Sequence, residues 1–110
     1  MIERGSLCWA ELPGADDRRA VLVVQADAFN RSRIPTVVVV PLARNLRLLE
    51  APGNIRIGKV VSGLPFDAVA NVAQVMTLER RHLREMPARL PDGLRTSLDD
   101  GLRLVLGLGE

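Results

Sequence analysis

A run of four consecutive valines, residues 37–40, is the feature that most narrows the folds open to this chain. Valine is stiff at χ1 and favours extended backbone, and an unbroken apolar run carries no helical stripe. Segment 36–42 is therefore predicted to be a central strand that is buried on both faces. Such a strand needs neighbouring strands and two apolar layers around it.

Other segments have the pattern of shorter strands. They are apolar, β-branched or alternating, and they are often bounded by turn residues: 7–12, 20–25, 55–57, 69–76 and 84–89. Thr77 is placed where it would cap a short helix that ends before Pro87. The chain is thus predicted to form several strands before its last regular element.

That last element is predicted to be a helix. Leu94, Leu98, Leu102 and Val105 recur at spacings of four, four and three, which places them on one helical face. Pro91 suits the first turn and Gly107 suits the end. The fold class is therefore predicted to be mainly β (α+β), a small barrel or strongly bent sheet with short helices and a C-terminal helix.

Composition excludes several classes of protein. The chain of 110 residues is 47% hydrophobic and 25% charged, so it is predicted to be one folded domain, 1–110, and not a disordered segment. One cysteine and one histidine exclude an internal disulfide and any metal site rich in these ligands. No segment is long and apolar enough to span a membrane, and no export signal begins the chain. A cytoplasmic location is expected.

Arginine dominates the basic residues, since Lys59 is the only lysine among fifteen. Two predicted loops, 14–19 and 43–47, present four of these arginines at strand ends: Arg18, Arg19, Arg44 and Arg47. If the strands are neighbours, the four guanidinium groups form one basic surface suited to phosphate. The alternative is a scatter of solvated arginines, and the spacing alone does not separate the two.

Six motifs, in order, resemble the MazF/PemK family of toxin endoribonucleases from bacterial toxin–antitoxin modules. They are I-E-R-G with the following tryptophan (2–9), R-A-V-L-V-V-Q (19–25), D-A-F-N-R-S (27–32), V-V-P-L (39–42), A-P-G-N-I (51–55) and L-P-F-D-A-V-A-N-V-A-Q (64–74). The end of the chain, L-R-L-V-L (102–106), is similar to the family's last helix. Each motif is modest, but their order covers nearly the whole chain.

The resemblance implies a homodimer of small SH3-like barrels that cleaves single-stranded RNA at a short preferred sequence. The implied reaction uses no metal and no cofactor: the ribose 2′-OH attacks the adjacent phosphorus and leaves a 2′,3′-cyclic phosphate. The family's catalytic arginine corresponds to Arg19. A cognate antitoxin is implied as a partner, and operator DNA is bound only through the antitoxin complex. No membrane partner is implied.

The family's catalytic hydroxyl is missing, because Ala43 stands where relatives have threonine or serine after P-L. The first loop is also shortened, and Ala20 and Ala68 replace a proline and a serine. One interpretation is a ribonuclease in which Arg19 provides most of the stabilisation, assisted by Arg44, Asn45 or Ser62. The other is a binding module that has lost cleavage and keeps RNA or antitoxin binding.

The remaining assignments concern RNA contacts and single residues. The RNA-binding candidates are Arg18, Arg44, Asn45, Asn71 and Gln74. The two last residues match family positions and are suited to reading base edges; the alternative is that they are ordinary polar residues of a half-exposed strand. Arg56 and Lys59 are interpreted as solvated, Trp9 as a core residue that is less suited to stacking on a base, Cys8 as buried and His82 as exposed.

Overall fold

The computed structural model describes residues 1–109, which form one antiparallel sheet of seven strands, three α-helices and two 3-10 helices. The strands are β1 Ser6–Ala10, β2 Arg19–Val23, β3 Thr36–Ala43, β4 Ile55–Ile57, β5 Ala68–Ala70, β6 Met76–Glu79 and β7 Leu83–Arg89. The helices are α1 Asp27–Asn30, α2 Lys59–Ser62 and α3 Asp92–Leu106, with 3-10 helices at Leu46–Glu50 and Arg80–His82. The predicted mainly β class with a C-terminal helix is confirmed.

The valine run lies at the centre of the sheet, as predicted. β3 pairs with β2 along one edge; along the other edge its first half pairs with β6 and its second half with β5. Val37 and Val39 belong to one apolar cluster, and Val38 and Val40 pack into another. Both faces of β3 are therefore covered, which is why the run tolerates no polar residue.

The sheet curls into a half-barrel around one of these clusters. Strands β7, β1, β2, β3 and β6 follow one another across the sheet, and the 3-10 helix Arg80–His82 joins β6 to β7. The enclosed cluster includes Cys8, Val21, Val39 and Leu83. Cys8 is fully buried, as predicted, and burial raises the pKa of its thiol to about 11.

α3 covers the outer face of the same strands. Leu98 and Leu102 are buried against Leu7, Leu22 and other members of the second cluster. Leu94 is partly buried against that cluster, whereas Val105 is 37% exposed, so the predicted stripe is apolar but not buried along its whole length. The helix ends at Gly107 in the left-handed conformation, as predicted, but Pro91 stands just before the first turn.

The segment 69–76 is not one strand, and Thr77 does not cap a helix. β5 and β6 are separate, with a turn over residues 71–75, and Thr77 lies within β6. The physical reason is that the two strands pair with different halves of the same edge of β3, so the chain has to leave the sheet between them. The predicted last strand, 84–89, is confirmed within β7.

None of the helices among residues 1–109 has the length and apolar character needed to cross a bilayer. His82 is less exposed than expected: its side chain is 18% accessible and its Nε2 lies 3.6 Å from the Glu79 carboxylate. The His82 backbone carbonyl also accepts a hydrogen bond from the Glu11 N–H at 2.8 Å, which ties the short helix Arg80–His82 to the residue that follows β1.

Candidate RNA-binding and cleavage site

Arg19 begins β2 and lies across the sheet from the position that lacks the hydroxyl. Ala10 of β1 is its partner on one side. On the other side, Val21 pairs with Pro41, and the same antiparallel register carried two residues further places Arg19 opposite Ala43. Residues that are directly opposite project on the same face, so Arg19 and Ala43 share one surface.

The same row continues onto the next two strands. Ala43 pairs with Val69 of β5, and Val69 pairs with Arg56 of β4. Three strand spacings separate Arg19 from Arg56, which puts their Cα atoms roughly 14 Å apart. The row thus has an arginine at each end and two apolar residues between them, Ala43 and the fully buried Val69, although the sequence indicated only Arg19 as part of a site.

The Arg19 side chain is open to solvent, and it has no hydrogen bond or ion pair within residues 1–109. Nothing in that part of the chain neutralises its charge. A guanidinium held at a strand end, with its donors unoccupied, can bind two oxygens of one phosphate. The backbone fixes its position, because Arg19 is already paired within β2.

Arg56 is held by Asp67. Its Nη2 lies 2.6 Å from Asp67 Oδ2, and the other oxygen of that carboxylate accepts a hydrogen bond from the Lys59 backbone N–H at 2.9 Å. The Arg56 hydrogen bond, and then the Lys59 N–H, lower the pKa of Asp67 below its usual value. Asp67 is therefore a fixed anion that orients Arg56, and this arrangement was not evident when Arg56 and Lys59 were interpreted as solvated.

The groups next to Ala43 in the sheet do not replace the missing hydroxyl. Its cross-strand neighbours are Arg19 and Val69, and neither carries one. Ser62, which the sequence suggested as a substitute, is 1% exposed, and its Oγ accepts a hydrogen bond from the Leu64 N–H at 3.0 Å. Ser62 is therefore a structural residue of the α2 turn, and the suggestion that it assists is wrong.

The alanine at position 68 has a simpler explanation. Ala68 is fully buried in a small apolar cluster with Ala20 and Leu64. A serine here would place a hydroxyl in that cluster, where it would need a hydrogen-bond partner. Both Ala20 and Ala68, which depart from the family pattern, thus lie in one apolar patch, defined here as Ala20, Leu64 and Ala68.

The side chains of Arg18 and Arg44 lie at this apolar patch, on the other face of the sheet from the Arg19 side chain. The Arg18 guanidinium carbon is 4.0 Å from the centre of the Trp9 ring, and that of Arg44 is 4.4 Å from the centre of the Phe66 ring. Both rings pack against the apolar patch. Trp9 pairs with Ala20, so this is the opposite face of the sheet from Arg19.

The predicted basic surface is thus divided between two faces that meet at the ends of β2 and β3. Arg47 is exposed in the 3-10 helix Leu46–Glu50, two residues beyond its cap. Asn45 is that cap: its side-chain oxygen accepts a hydrogen bond from the Arg47 N–H at 3.0 Å. Because only the oxygen of the exposed Asn45 side chain is used in this cap, its NH2 group remains available as a hydrogen-bond donor.

Asn71 and Gln74 lie in the turn 71–75, not in a strand. The Asn71 backbone N–H donates to the Pro41 carbonyl at 3.0 Å, which ties the turn to the end of β3 near Ala43. Gln74 is exposed, and its backbone N–H donates to the Asn71 carbonyl at 3.1 Å. The structure therefore places Asn71 near the end of β3 and Gln74 in the exposed part of the turn.

Asn54 is a positioning residue that the sequence reasoning did not identify. Its Nδ2 donates to the Leu48 carbonyl at 2.9 Å and lies 3.4 Å from Asn71 Oδ1, and its Oδ1 accepts from the Val72 N–H at 3.0 Å. It therefore fastens the 3-10 helix to the turn that carries Asn71. Asn54 is the asparagine of the A-P-G-N-I motif, but the motif alone does not show its role, because its three contacts are made with residues outside the motif.

A second cavity lies at the other end of β2. The groove of about 590 Å³ is lined by apolar side chains of α1 and α3, including Phe29, Leu102 and Leu106. The ion pair between Arg4 and Asp99, 2.6 Å long, stands among its lining residues. Its position is remote from Arg19 along the strand, so it is separate from the site described above.

Residues 3–106 match the model of a family described as the PemK-like, MazF-like toxin of type II toxin–antitoxin systems. The chain is 36% identical to the endoribonuclease MazF2 of Mycobacterium bovis and to the endoribonuclease MazF6 of Mycobacterium tuberculosis. In both cases the alignment covers 98% of this chain and 99% of the relative.

Solved structures show the same fold at lower identity. A mycobacterial endoribonuclease in complex with its cognate antitoxin superposes with a TM-score of 0.80 at 22% identity, over 100% of this chain and 99% of the other. A MazE–MazF structure from Deinococcus radiodurans gives a TM-score of 0.77 at 18% identity, over 96% of this chain and 95% of the other. The half-barrel with its C-terminal helix is therefore an arrangement that these proteins share.

Proposed function

The chain belongs to the PemK-like, MazF-like family of toxins of type II toxin–antitoxin systems, and on that premise we propose that it is an endoribonuclease that cleaves single-stranded RNA without a metal ion. The observation that carries the proposal is the open Arg19 guanidinium at the rim of the half-barrel, opposite Ala43. The names of the relatives, which are endoribonucleases, support the same activity.

The proposed reaction is an internal transfer at phosphorus. The ribose O2′ bonds to the adjacent phosphorus and loses its proton, the bond from phosphorus to O5′ breaks, and O5′ gains a proton. The products are a 2′,3′-cyclic phosphate and a 5′-hydroxyl, so no water is consumed in this step. Charge accumulates on the two non-bridging oxygens as the phosphorus becomes pentavalent, and that charge is what the protein has to stabilise.

Arg19 is proposed to bind those two oxygens. Its guanidinium is permanently charged, so it stabilises the developing dianion without titrating near neutral pH. Removal of one preorganised donor of this kind typically lowers the rate by about 10²- to 10³-fold. Loss of the whole forked group is expected to reduce cleavage by at least that much.

Arg56 is proposed to bind a neighbouring phosphate of the same strand. It lies on the row of Arg19, roughly 14 Å away across three strand spacings, and Asp67 orients it. The lowered pKa of Asp67 makes this carboxylate a poor general base near neutral pH. Asp67 therefore acts through Arg56, and it is a positioning residue in this proposal.

The absence of a hydroxyl at Ala43 favours a second candidate function, a module that binds RNA or antitoxin but does not cleave. The cross-strand neighbours of Ala43 supply no replacement. We favour cleavage, because electrostatic stabilisation by Arg19 does not require that hydroxyl. The substitution Ala43→Thr distinguishes the two candidates. If the wild-type protein already cleaves RNA, the variant is expected to cleave it faster. If the wild-type protein only binds, the variant is expected to gain cleavage where the hydroxyl is the one group missing.

A homodimer, neutralised by a cognate antitoxin in the cytoplasm, completes the proposal, and operator DNA would be bound only through the antitoxin complex. The end of α3 supports self-association, since Leu104, Leu106 and Leu108 are 62%, 52% and 68% exposed. An antitoxin accompanies the toxin in one of the similar structures. Sedimentation of the purified chain, alone and with its antitoxin, measures both associations.

The direct test replaces Arg19 by alanine and, as a matched control, Arg33 by alanine. Both arginines are exposed, but Arg33 lies near the opposite end of β3, by Ile34 and Pro35. Cleavage of a long single-stranded RNA is expected to fall at least 10²-fold in Arg19→Ala and to be unchanged in Arg33→Ala. Equal rates for wild type and Arg19→Ala, in folded protein, would exclude Arg19 as the catalytic group.

A further inference from the structure

Two arginines in this chain are stacked on aromatic rings at the same surface. Arg18 lies 4.0 Å from the centre of the Trp9 ring, and Arg44 lies 4.4 Å from the centre of the Phe66 ring. The chain has only three aromatic residues, so two of them serve these stacks. We refer to the four side chains together as the double stack.

The apolar patch of Ala20, Leu64 and Ala68 holds the two rings in place. Both rings are half-buried against it, whereas both guanidinium groups are exposed. Trp9 of β1 pairs with Ala20 of β2, and the register of β2 with β3 puts Ala20 level with Leu42, so Arg44 lies two strand spacings across and two residues along from Trp9, roughly 12 Å away. The double stack therefore presents two flat, charged groups side by side.

Each guanidinium carbon lies over a ring, and both arginine residues are exposed to solvent. Neither Arg18 nor Arg44 makes a side-chain hydrogen bond or ion pair with any residue from 1 to 109. The ring fixes the plane of the guanidinium, and the N–H groups around its edge stay available. A site that binds only phosphate would need the positive charge of the guanidinium, but it would not need the guanidinium plane to be held in one orientation.

We propose that the double stack is a platform for unpaired bases of single-stranded RNA. Two bases lie on the open faces of the Arg18 and Arg44 guanidinium groups, and the N–H edges bind the flanking phosphates. Unpaired RNA bases stack on guanidinium planes and aromatic rings in this manner. The inference rests on the proposed function, since it adds a base-binding surface next to the phosphate contacts of Arg19, around the ends of β2 and β3.

An acidic peptide is the alternative occupant of the double stack. It would be attracted by the two positive charges, but it has no flat groups that require the two guanidinium planes. The geometry favours RNA for that reason. The test below separates the two occupants by keeping charge and removing planarity.

Trp9 provides a direct optical measurement. It is the only tryptophan, and the chain has no tyrosine, so the intrinsic emission reports on the double stack alone. The protein is titrated with a short 2′-O-methyl RNA, which cannot undergo 2′-OH attack, and with an abasic oligonucleotide of the same length. Binding of each is followed independently by the anisotropy of a dye on the oligonucleotide.

The expected result is a saturable change in Trp9 emission with the 2′-O-methyl RNA and little change with the abasic strand. A change of the same size with the abasic strand or with a short polyglutamate peptide contradicts the proposal. So does anisotropy that shows RNA binding without any change in emission, or no RNA binding at all.

The matched variants are Arg18→Lys, Arg44→Lys and, as a control, Arg33→Lys. Lysine keeps the charge but cannot present a plane. Loss of one stacked base is expected to raise the Kd for the 2′-O-methyl RNA by roughly 5- to 100-fold in the first two variants. Arg33 lies near the opposite end of β3, so its variant is expected to bind like wild type. Unchanged affinity in Arg18→Lys and Arg44→Lys overturns the proposal.

These measurements do not depend on cleavage. If the protein binds the 2′-O-methyl RNA with a change in Trp9 emission but does not cleave ordinary RNA, the double stack is supported and the proposed catalytic function is contradicted. If the protein cleaves RNA but Arg18→Lys and Arg44→Lys bind RNA as well as wild type, the catalytic function is supported and the role of the double stack is contradicted.

Discussion

Substitution of Gly101 by alanine is predicted to destabilise the protein, although alanine is the better helix former. Gly101 lies in α3, where its backbone meets the backbone of Gly53. A Cβ at position 101 would fall far inside contact distance of the Gly53 carbonyl oxygen and 3.1 Å from its carbonyl carbon. The atoms that would have to move are backbone atoms, so rotation of a side chain cannot relieve the overlap.

The magnitude follows from two opposing effects. Overpacking of this kind costs about 1–3 kcal/mol, and the cost here belongs at the upper end because Asn54, next to Gly53, is fastened at both its oxygen and its nitrogen. Gly→Ala within a helix returns about 1 kcal/mol. The net loss of unfolding free energy is therefore ~2 kcal/mol. Near the midpoint, each kcal/mol lowers Tm by roughly 4 °C in a domain of this size, which gives a decrease of about 8 °C.

Thermal unfolding followed by circular dichroism measures this decrease, with Gly93→Ala as the matched control. Gly93 lies in the first turn of the same helix, and a Cβ there meets nothing within 4 Å. The control is expected to be as stable as wild type or more stable by up to about 1 kcal/mol. A Gly101→Ala protein that melts at or above the wild-type temperature would refute the close contact between α3 and the loop at Gly53.

Three further predictions concern single side chains. Asn54→Ala removes hydrogen bonds to two backbone groups and is expected to lower the unfolding free energy by about 1–3 kcal/mol, measured by urea titration; wild-type stability contradicts this. Cys8, whose thiol pKa is raised to about 11 by burial, should react with a thiol reagent at pH 8 only after unfolding, and rapid labelling of the native protein contradicts its burial. The Arg4 N–H and the Asn30 side chain lower the pKa of Asp27 in the folded state, so its stabilising contribution is present above pH 3.8 and is lost as pH falls through the lowered value; Asp27→Asn should weaken this acid dependence of stability, and an unchanged dependence contradicts the assignment.

Hydrophobic patterns within single segments were sufficient to predict the central strand and the C-terminal helix. The valine run predicted a two-sided central strand, and the spacing of Leu98 and Leu102 predicted a helix with a buried face, because burial alone selects those residues. The break between β5 and β6 was missed. Polar Asn71 and Gln74 stood inside the apolar segment, but the edge of β3 that both strands share is set by pairing between distant residues.

The candidate site was predictable to a smaller extent for the same reason. Resemblance to a family indicated Arg19, and the cross-strand register now relates it to Ala43 and to Arg56. Arg56 could not be placed from the sequence, since two intervening strands determine its distance from Arg19. The aromatic partners of Arg18 and Arg44 were likewise hidden, because each stack joins residues that are far apart in the chain.

In the proposed mechanism, stabilisation by Arg19 does not require a hydroxyl at position 43. Electrostatic stabilisation depends on charge held in a fixed place, and β-sheet pairing fixes Arg19 on one side of the row and Arg56 on the other. The residues between them on the row are Ala43 and the fully buried Val69, which offer no competing anion. A hydroxyl at position 43 would add one hydrogen bond to this arrangement without changing its charge.

If this chain cleaves RNA by attack of the 2′-OH, the chemistry of the new RNA ends records that attack. Purified, folded protein is incubated with a long single-stranded RNA in excess EDTA, and the fragments are mapped and their termini identified. We expect cuts at a recurrent short sequence, with 5′-hydroxyl and 2′,3′-cyclic phosphate ends. Intact RNA, or fragments that carry 5′-phosphates, would contradict it.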